Sequence, residues 1–119
     1  MADYIHDKFR KACETLGGKI EQTAVETICI IEPHNHGSVK ITLTNGSLKE
    51  IYAENELAST NIEYPFPGDK IRDIQIREDK KLVNILLVNG NTCSLTRLPK
   101  IVRGTCVLGG RSVSFSFDP

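Results

Sequence analysis

The sharpest chemical feature of the sequence is the triplet His34-Asn35-His36. Two imidazoles two residues apart leave an extended chain on the same side, and a zinc ion can be gripped that way once a third ligand arrives. Glu32, His6 or a distant cysteine are the candidates for that third place. The same letters also make an ordinary polar turn between strands, bounded here by Pro33 and Gly37, and that is the commoner use of such a segment. His34 and His36 are therefore carried as candidate metal ligands, and no cofactor is expected.

The remaining reactive side chains form no catalytic constellation. Cys13, Cys29, Cys93 and Cys106 contain no C-x-x-C pair, so neither a zinc ribbon nor a thioredoxin-type couple is supported. Cys29 is near His34 along the chain, but it sits in an apolar run, where a thiol stays protonated and inert. There is no phosphate-cradling glycine loop, no Ser elbow and no H-E-x-x-H. The expectation is a protein that is not an enzyme.

Two charged sets suggest binding instead. Glu50, Glu54, Glu56 and Glu63 stand close to Tyr64 and Phe66. Carboxylates beside aromatics suit a basic partner surface, because the aromatics anchor and the charge steers. The opposite reading is a solvated loop with Phe66 tucked into the core. The second set is Lys70, Arg72, Arg77, Lys80 and Lys81. A nucleic-acid platform needs aromatics among such residues for base stacking, and none is interleaved here. Lysines on an edge strand also block edge pairing, which is the simpler use.

Composition sets the frame. The chain has 119 residues, a formal charge of zero and 39% apolar residues, with no Trp. One domain, residues 1–119, with an aliphatic core is expected. The zero hides an asymmetry: residues 1–68 carry a net charge of minus four and residues 69–119 plus four. Sequence halves usually interleave in a small β-domain, so mixing of these charges is expected. The zero total speaks against a binder of duplex nucleic acid. The charged start, Met-Ala-Asp-Tyr-Ile-His-Asp-Lys, has no apolar signal core, so a cytoplasmic protein with reduced, mostly buried cysteines is expected. Cys93 and Cys106 fall on strands that could be neighbours.

The elements that position these residues read clearly in places. Ile5, Phe9, Ala12, Cys13 and Leu16 recur at helical spacing, which predicts an amphipathic helix over 3–16, N-capped by Asp3 and stopped by Gly17-Gly18. Residues 19–32 read as one strand and 32–37 as a loop. Val39–Thr44 and Ser47–Ala53 form a hairpin on Asn45-Gly46, because a type I′ turn needs positive φ at both central residues. Residues 54–69 break the pattern, with a helical turn near 55–59 and Pro65-Phe66-Pro67-Gly68 outside any central strand. Lys70–Arg77 and Leu82–Val88 are strands, Asn89-Gly90 turns into Asn91–Leu98, and Ile101–Leu108 pairs with Arg111–Phe117 across Gly109-Gly110. That last register sets Cys106 against Val113, Gly104 against Phe115 and Val102 against Phe117. The motif Val-x-Ile-x-Leu-x-Asn-Gly occurs at 39–46 and again at 83–90, as any two good hairpins would.

The fold expected is α+β: one N-terminal helix packed on a predominantly antiparallel sheet of successive hairpins, curled or closed to a half-barrel. The function expected first is a non-catalytic protein-binding module using Glu50, Glu54, Glu56, Glu63, Tyr64 and Phe66. In size and general organisation the chain is similar to small cytosolic bacterial immunity proteins, a likeness that covers no motif. It implies a protein that covers a basic toxin-like domain by occlusion. The alternatives are a small metal- or ligand-binding enzyme at His34 and His36, and a nucleic-acid-associated β-domain at 70–81, the latter disfavoured by charge. No membrane partner is expected. An unpaired outer strand gives a route to a homodimer.

Overall fold

The computed structural model describes residues 2–34, 37–55, 60–63, 69–88, 90–99 and 101–116. Helix α1 spans Ala2–Thr15. Among the described residues ten strands follow: β1 Lys19–Gln22, β2 Thr27–His34, β3 Gly37–Thr44, β4 Ser47–Asn55, β5 Thr60–Glu63, β6 Asp69–Arg77, β7 Leu82–Leu87, β8 Thr92–Leu98, β9 Ile101–Leu108 and β10 Arg111–Ser116. All are antiparallel, in the order β1-β2-β3-β4-β6-β7-β8-β9-β10, with β5 also paired to β4. The sheet curls without closing: β2 comes close to β9 although five strands lie between them in the order. This is the helix-on-hairpins arrangement the pattern predicted.

The ladder has two wings. β1 to β5 make one and β6 to β10 the other, joined where Ser47 and Leu48 of β4 meet Lys70 and Asp69 of β6. The strands of the acidic half and those of the basic half therefore form separate wings, while α1 of the first half packs on β6 of the second. Sequential hairpins cause this, because within each wing every strand pairs with its chain neighbour, and only β4 and β6 pair across the seam.

Helix α1 buries the predicted stripe. Ile5, Phe9, Ala12, Cys13 and Leu16 join Cys29, Ile31, Ile41, Ile51, Ile74 and Ile85 in one aliphatic core. The helix starts at Ala2, which puts Asp3 inside its first turn. Its end is a Schellman motif. Gly17 takes φ +76° and donates its N–H to Glu14 O, and the Gly18 N–H donates to Cys13 O at 2.8 Å. The freed carbonyl of Leu16 accepts from Arg97 Nη1 of β8.

The cysteines correct one expectation. All four are buried, but none is a thiol: Cys13 of α1 is bonded to Cys29 of β2, and Cys93 of β8 to Cys106 of β9. Cys93 and Cys106 are direct cross-strand partners. The first pair escaped notice because helix-to-strand proximity leaves no spacing signal.

Several boundaries also shift: β2 runs on to His34 and β3 starts at Gly37, inside the 32–37 segment read as a loop. Residues 19–32 are two strands, not one. Thr23-Ala24-Val25-Glu26 turns between them, held by the Thr23 Oγ1 accepting from the Glu26 N–H at 3.0 Å. The 54–69 segment is less irregular than expected, since β4 runs to Asn55 and β5 pairs with it. The helical turn near 55–59 and Pro65-Phe66-Pro67-Gly68 fall outside the described residues, apart from Asn55 itself. β7 ends at Leu87, whose N–H donates to Asn91 O, so Val88 lies in the turn and is exposed. The other two turns are as predicted. Asn45 and Gly46 take φ +50° and +78°, Gly109 and Gly110 +59° and +86°. Cys106 meets Val113 and Gly104 meets Phe115, while Phe117 lies outside the described residues.

Candidate functional site

The acidic side chains of β4 acquire a common face from simple alternation. Ile51 and Ala53 are buried, so Glu50, Tyr52 and Glu54 point to the outer surface, each half-buried. Register then gathers neighbours. Tyr52 stands between Lys40 of β3 and Glu63 of β5, Glu54 between Ser38 and Asn61, and Glu50 beside Thr42. The result is a tyrosine at the centre of a polar patch with carboxylates above and below it along β4, and the exposed Lys40 across the ladder.

Of the six residues expected to meet a partner, Glu50, Glu54 and Glu63 are brought to this one region. Glu56, Tyr64 and Phe66 lie outside the described residues. The aromatic at the centre is Tyr52, which the sequence reading missed. The alternation of Ser47–Ala53 would have found it, because parity alone sets Tyr52 with Glu50 and Glu54. His34 closes β2 opposite Gly37, and His36 lies outside the described residues. Among the described residues no three His, Cys, Asp or Glu side chains gather to hold a metal ion.

A second cluster links α1 to the seam between the wings. Lys8 Nζ donates to Asp73 Oδ1 at 3.0 Å, the Tyr4 hydroxyl donates to the same oxygen at 3.4 Å, and Lys8 lies 4.9 Å from the centre of the Tyr4 ring. The hydrogen bond from Lys8 is the main force holding the Asp73 carboxyl below its ordinary range. Hydrogen bonds to Tyr4 and then Asp73 raise the Lys8 ammonium above its own. These residues are 65 and 69 positions apart in sequence, so no local pattern announces them. Beside them, α1 and β6 line a cavity of about 790 Å³. On the far wing face, Lys49 of β4 is bonded to Glu26, which raises the Lys49 ammonium.

The basic hairpin is exposed at Lys70, Arg72, Arg77, Lys80 and Lys81, and Arg77 pairs with Asp79 at 3.6 Å. A register shift between Ile71 and Asp73 makes Arg72 an extra residue, so Lys70 and Arg72 do not share a simple strand face.

No protein family matches the chain, and no curated protein or solved structure matches it either. Among the described residues no helix is long and apolar enough to cross a membrane.

Proposed function

We propose that this chain is a non-catalytic protein-binding module whose contact surface is the outer face of β3, β4 and β5 around Tyr52. The observation that supports it is the alternation of β4, which sets Tyr52 between Glu50 and Glu54 with Glu63 across the ladder. An amphipathic aromatic ringed by charge has the anatomy of an interface anchor with a polar rim. Separation of the charges into two wings adds to it. The β1–β5 half is left with an acidic excess that steers a basic partner toward this face.

The partner in this reading is a basic protein domain, and the mode is occlusion, as a small bacterial immunity-type inhibitor of a toxin domain works. A cytoplasmic working place belongs to the same reading. It carries a demand, because disulfides persist mainly in oxidising compartments: the fold must hold with all four cysteines reduced.

The experiment is a pull-down from the native cell read by mass spectrometry, with the wild-type chain and the Glu50→Lys/Glu54→Lys pair side by side. One basic protein retained in equal amount by the wild type and lost by the pair supports the reading. Retention by both, or by neither, overturns it.

A further inference from the structure

Helix α1 is tied to both wings of the sheet, and the ties differ in kind. Toward β1–β5 the tie is covalent: Cys13 is bonded to Cys29 of β2, and Arg10 Nη2 donates to Gln22 Oε1 of β1 at 2.6 Å beside it. Toward β6–β10 the ties are polar. Lys8 and Tyr4 clamp Asp73 of β6, and Arg97 of β8 holds the Leu16 carbonyl. Between these ties the apolar stripe of the helix sinks into the shared core.

The direct join between the wings is short by comparison. Among the described residues β4 and β6 pair at Ser47–Lys70 and Leu48–Asp69, next to the Ile71 N–H donating to Gly46 O at 3.0 Å. Inside the wings the ladders run much further. β3 and β4 are paired from Gly37–Asn55 to Thr44–Ser47, and β8 and β9 from Thr92–Val107 to Leu98–Ile101. A join held by so few main-chain bonds opens before a full ladder does. Helix α1 therefore acts as a strap across it.

The two disulfides have different consequences in this arrangement. Cys93 and Cys106 are already opposite each other in a ladder, so parting their sulfurs leaves β8 and β9 paired. Cys13 and Cys29 belong to different layers, and no ladder holds a helix to a strand. The sulfurs are sealed in, with Cys13 at 1% and Cys29 at 0% exposure and Gly18 lying directly on both. A reductant reaches them when the turn at Gly17-Gly18 lifts.

We propose that Cys13–Cys29 is a redox latch on the joint between the two wings. Oxidised, it fixes α1 to β2 and the wings move as one body. Reduced, the strap is fast only to the β6–β10 wing, and the wings bend about the seam while each keeps its own ladder. The reductant is a dithiol: its two hydrogens pass to the two sulfurs as the bond between them breaks, and the dithiol leaves as its own disulfide. Disulfides of reducing compartments are commonly transient and redox-sensing, which is the use this bond would have there. The latch does not depend on the Tyr52 face, so either proposal can fail alone.

The test uses the full chain, oxidised and then treated with dithiothreitol. Gadolinium labels on non-natural amino acids replace Lys40 of β3 and Thr105 of β9, both exposed on their own wings, and pulsed electron resonance reads the distance between them. Reduction is expected to widen the distance distribution about twofold while the circular dichroism stays that of the folded chain. In parallel, amide exchange compares Ile71 at the seam with Ile41 and Ile85 inside the wings. The three are expected to be similarly protected when oxidised, and Ile71 to fall about tenfold below the others when reduced. Cys13→Ala/Cys29→Ala is expected to behave as the reduced chain without reductant. Cys93→Ala/Cys106→Ala is expected to stay narrow until dithiothreitol is added, which separates the latch from a general loss of stability. An unchanged distribution, equal acceleration of all three amides, widening in untreated Cys93→Ala/Cys106→Ala, or loss of the folded spectrum on reduction each overturns the proposal.

Discussion

Gly18 is the position where the smallest substitution meets the most rigid surroundings. A Cβ built there lies 2.8 Å from Cys13 Sγ, 2.9 Å from Cys29 Sγ and 2.9 Å from Ile30 O. None of the three is the loose end of a flexible chain. The sulfurs are bonded to each other across α1 and β2, and the carbonyl belongs to a strand paired on both sides. Gly18→Ala must therefore push helix and strand apart, and overpacking of this kind costs about 1–3 kcal/mol. Three hard contacts put it near the top of that range, about 2.5 kcal/mol. For a chain of this length that is a fall of roughly 10 °C in Tm, since about 1 kcal/mol corresponds to about 4 °C. Urea unfolding of the wild type, Gly18→Ala, Cys13→Ala/Cys29→Ala and the triple variant forms a closed cycle. In the background without sulfurs, Gly18→Ala is expected to lose at least half its cost, leaving the contact with Ile30 O. Gly46→Ala is the control. It has open space around it and φ +78°, so it pays only backbone strain of about 1 kcal/mol. An equal cost for Gly18→Ala with and without the sulfurs would refute the packing of Gly18 against the disulfide.

The other predictions concern the helix and the second disulfide. Reducing Cys93–Cys106, or replacing both by Ala, is expected to lower stability by about 3 kcal/mol from the 13-residue separation, read by urea unfolding with and without reductant. Thiol titration of the purified, air-oxidised chain in denaturant is expected to find no free cysteine, and four would contradict the described pairing. Phe9→Ala removes the largest side chain of the α1 stripe and is expected to cost about 3–5 kcal/mol by chemical denaturation. The Asp73 carboxyl is depressed, so its contribution is present above the unfolded value of about 3.9 and is lost as pH falls through the lower folded value. The Lys8 contribution is present below about 10.4 and is lost as pH rises through its raised folded value. Between these limits the clamp is independent of pH. A ¹³C titration of the Asp73 carboxyl is expected to give a midpoint below 3.9, moving upward in Lys8→Met.

The parts of the fold that read correctly from sequence are those fixed by local chemistry. The stripe Ile5-Phe9-Ala12-Leu16, the Gly17 cap, the Asn45-Gly46 and Gly109-Gly110 turns and the Cys106–Val113 register each follow from a few adjacent residues. The turn at Thr23–Glu26 was missed because its device is a threonine hydroxyl, with no Gly, Pro or Asn to mark it. Separation of the acidic strands from the basic ones was missed because it depends on strand order. The Cys13–Cys29 bond and the Tyr4–Lys8–Asp73 cluster depend on where α1 lands on the sheet, and periodicity says nothing of that. At the candidate surface, charge drew attention to Glu50, Glu54 and Glu63, while the irregular segment drew it toward Tyr64 and Phe66. Tyr52 was there to be read from the alternation of its own strand.

The most direct measurement places a photoreactive benzoylphenylalanine at position 52 and irradiates the native cell. A face that meets a partner yields one dominant adduct between this chain and a basic protein, and the Glu50→Lys/Glu54→Lys pair abolishes it. If position 52 gives no adduct while the same probe at Gln75 or Ser94 does, the working surface lies on the other wing and the outer face of β4 is only a solvated side of the sheet.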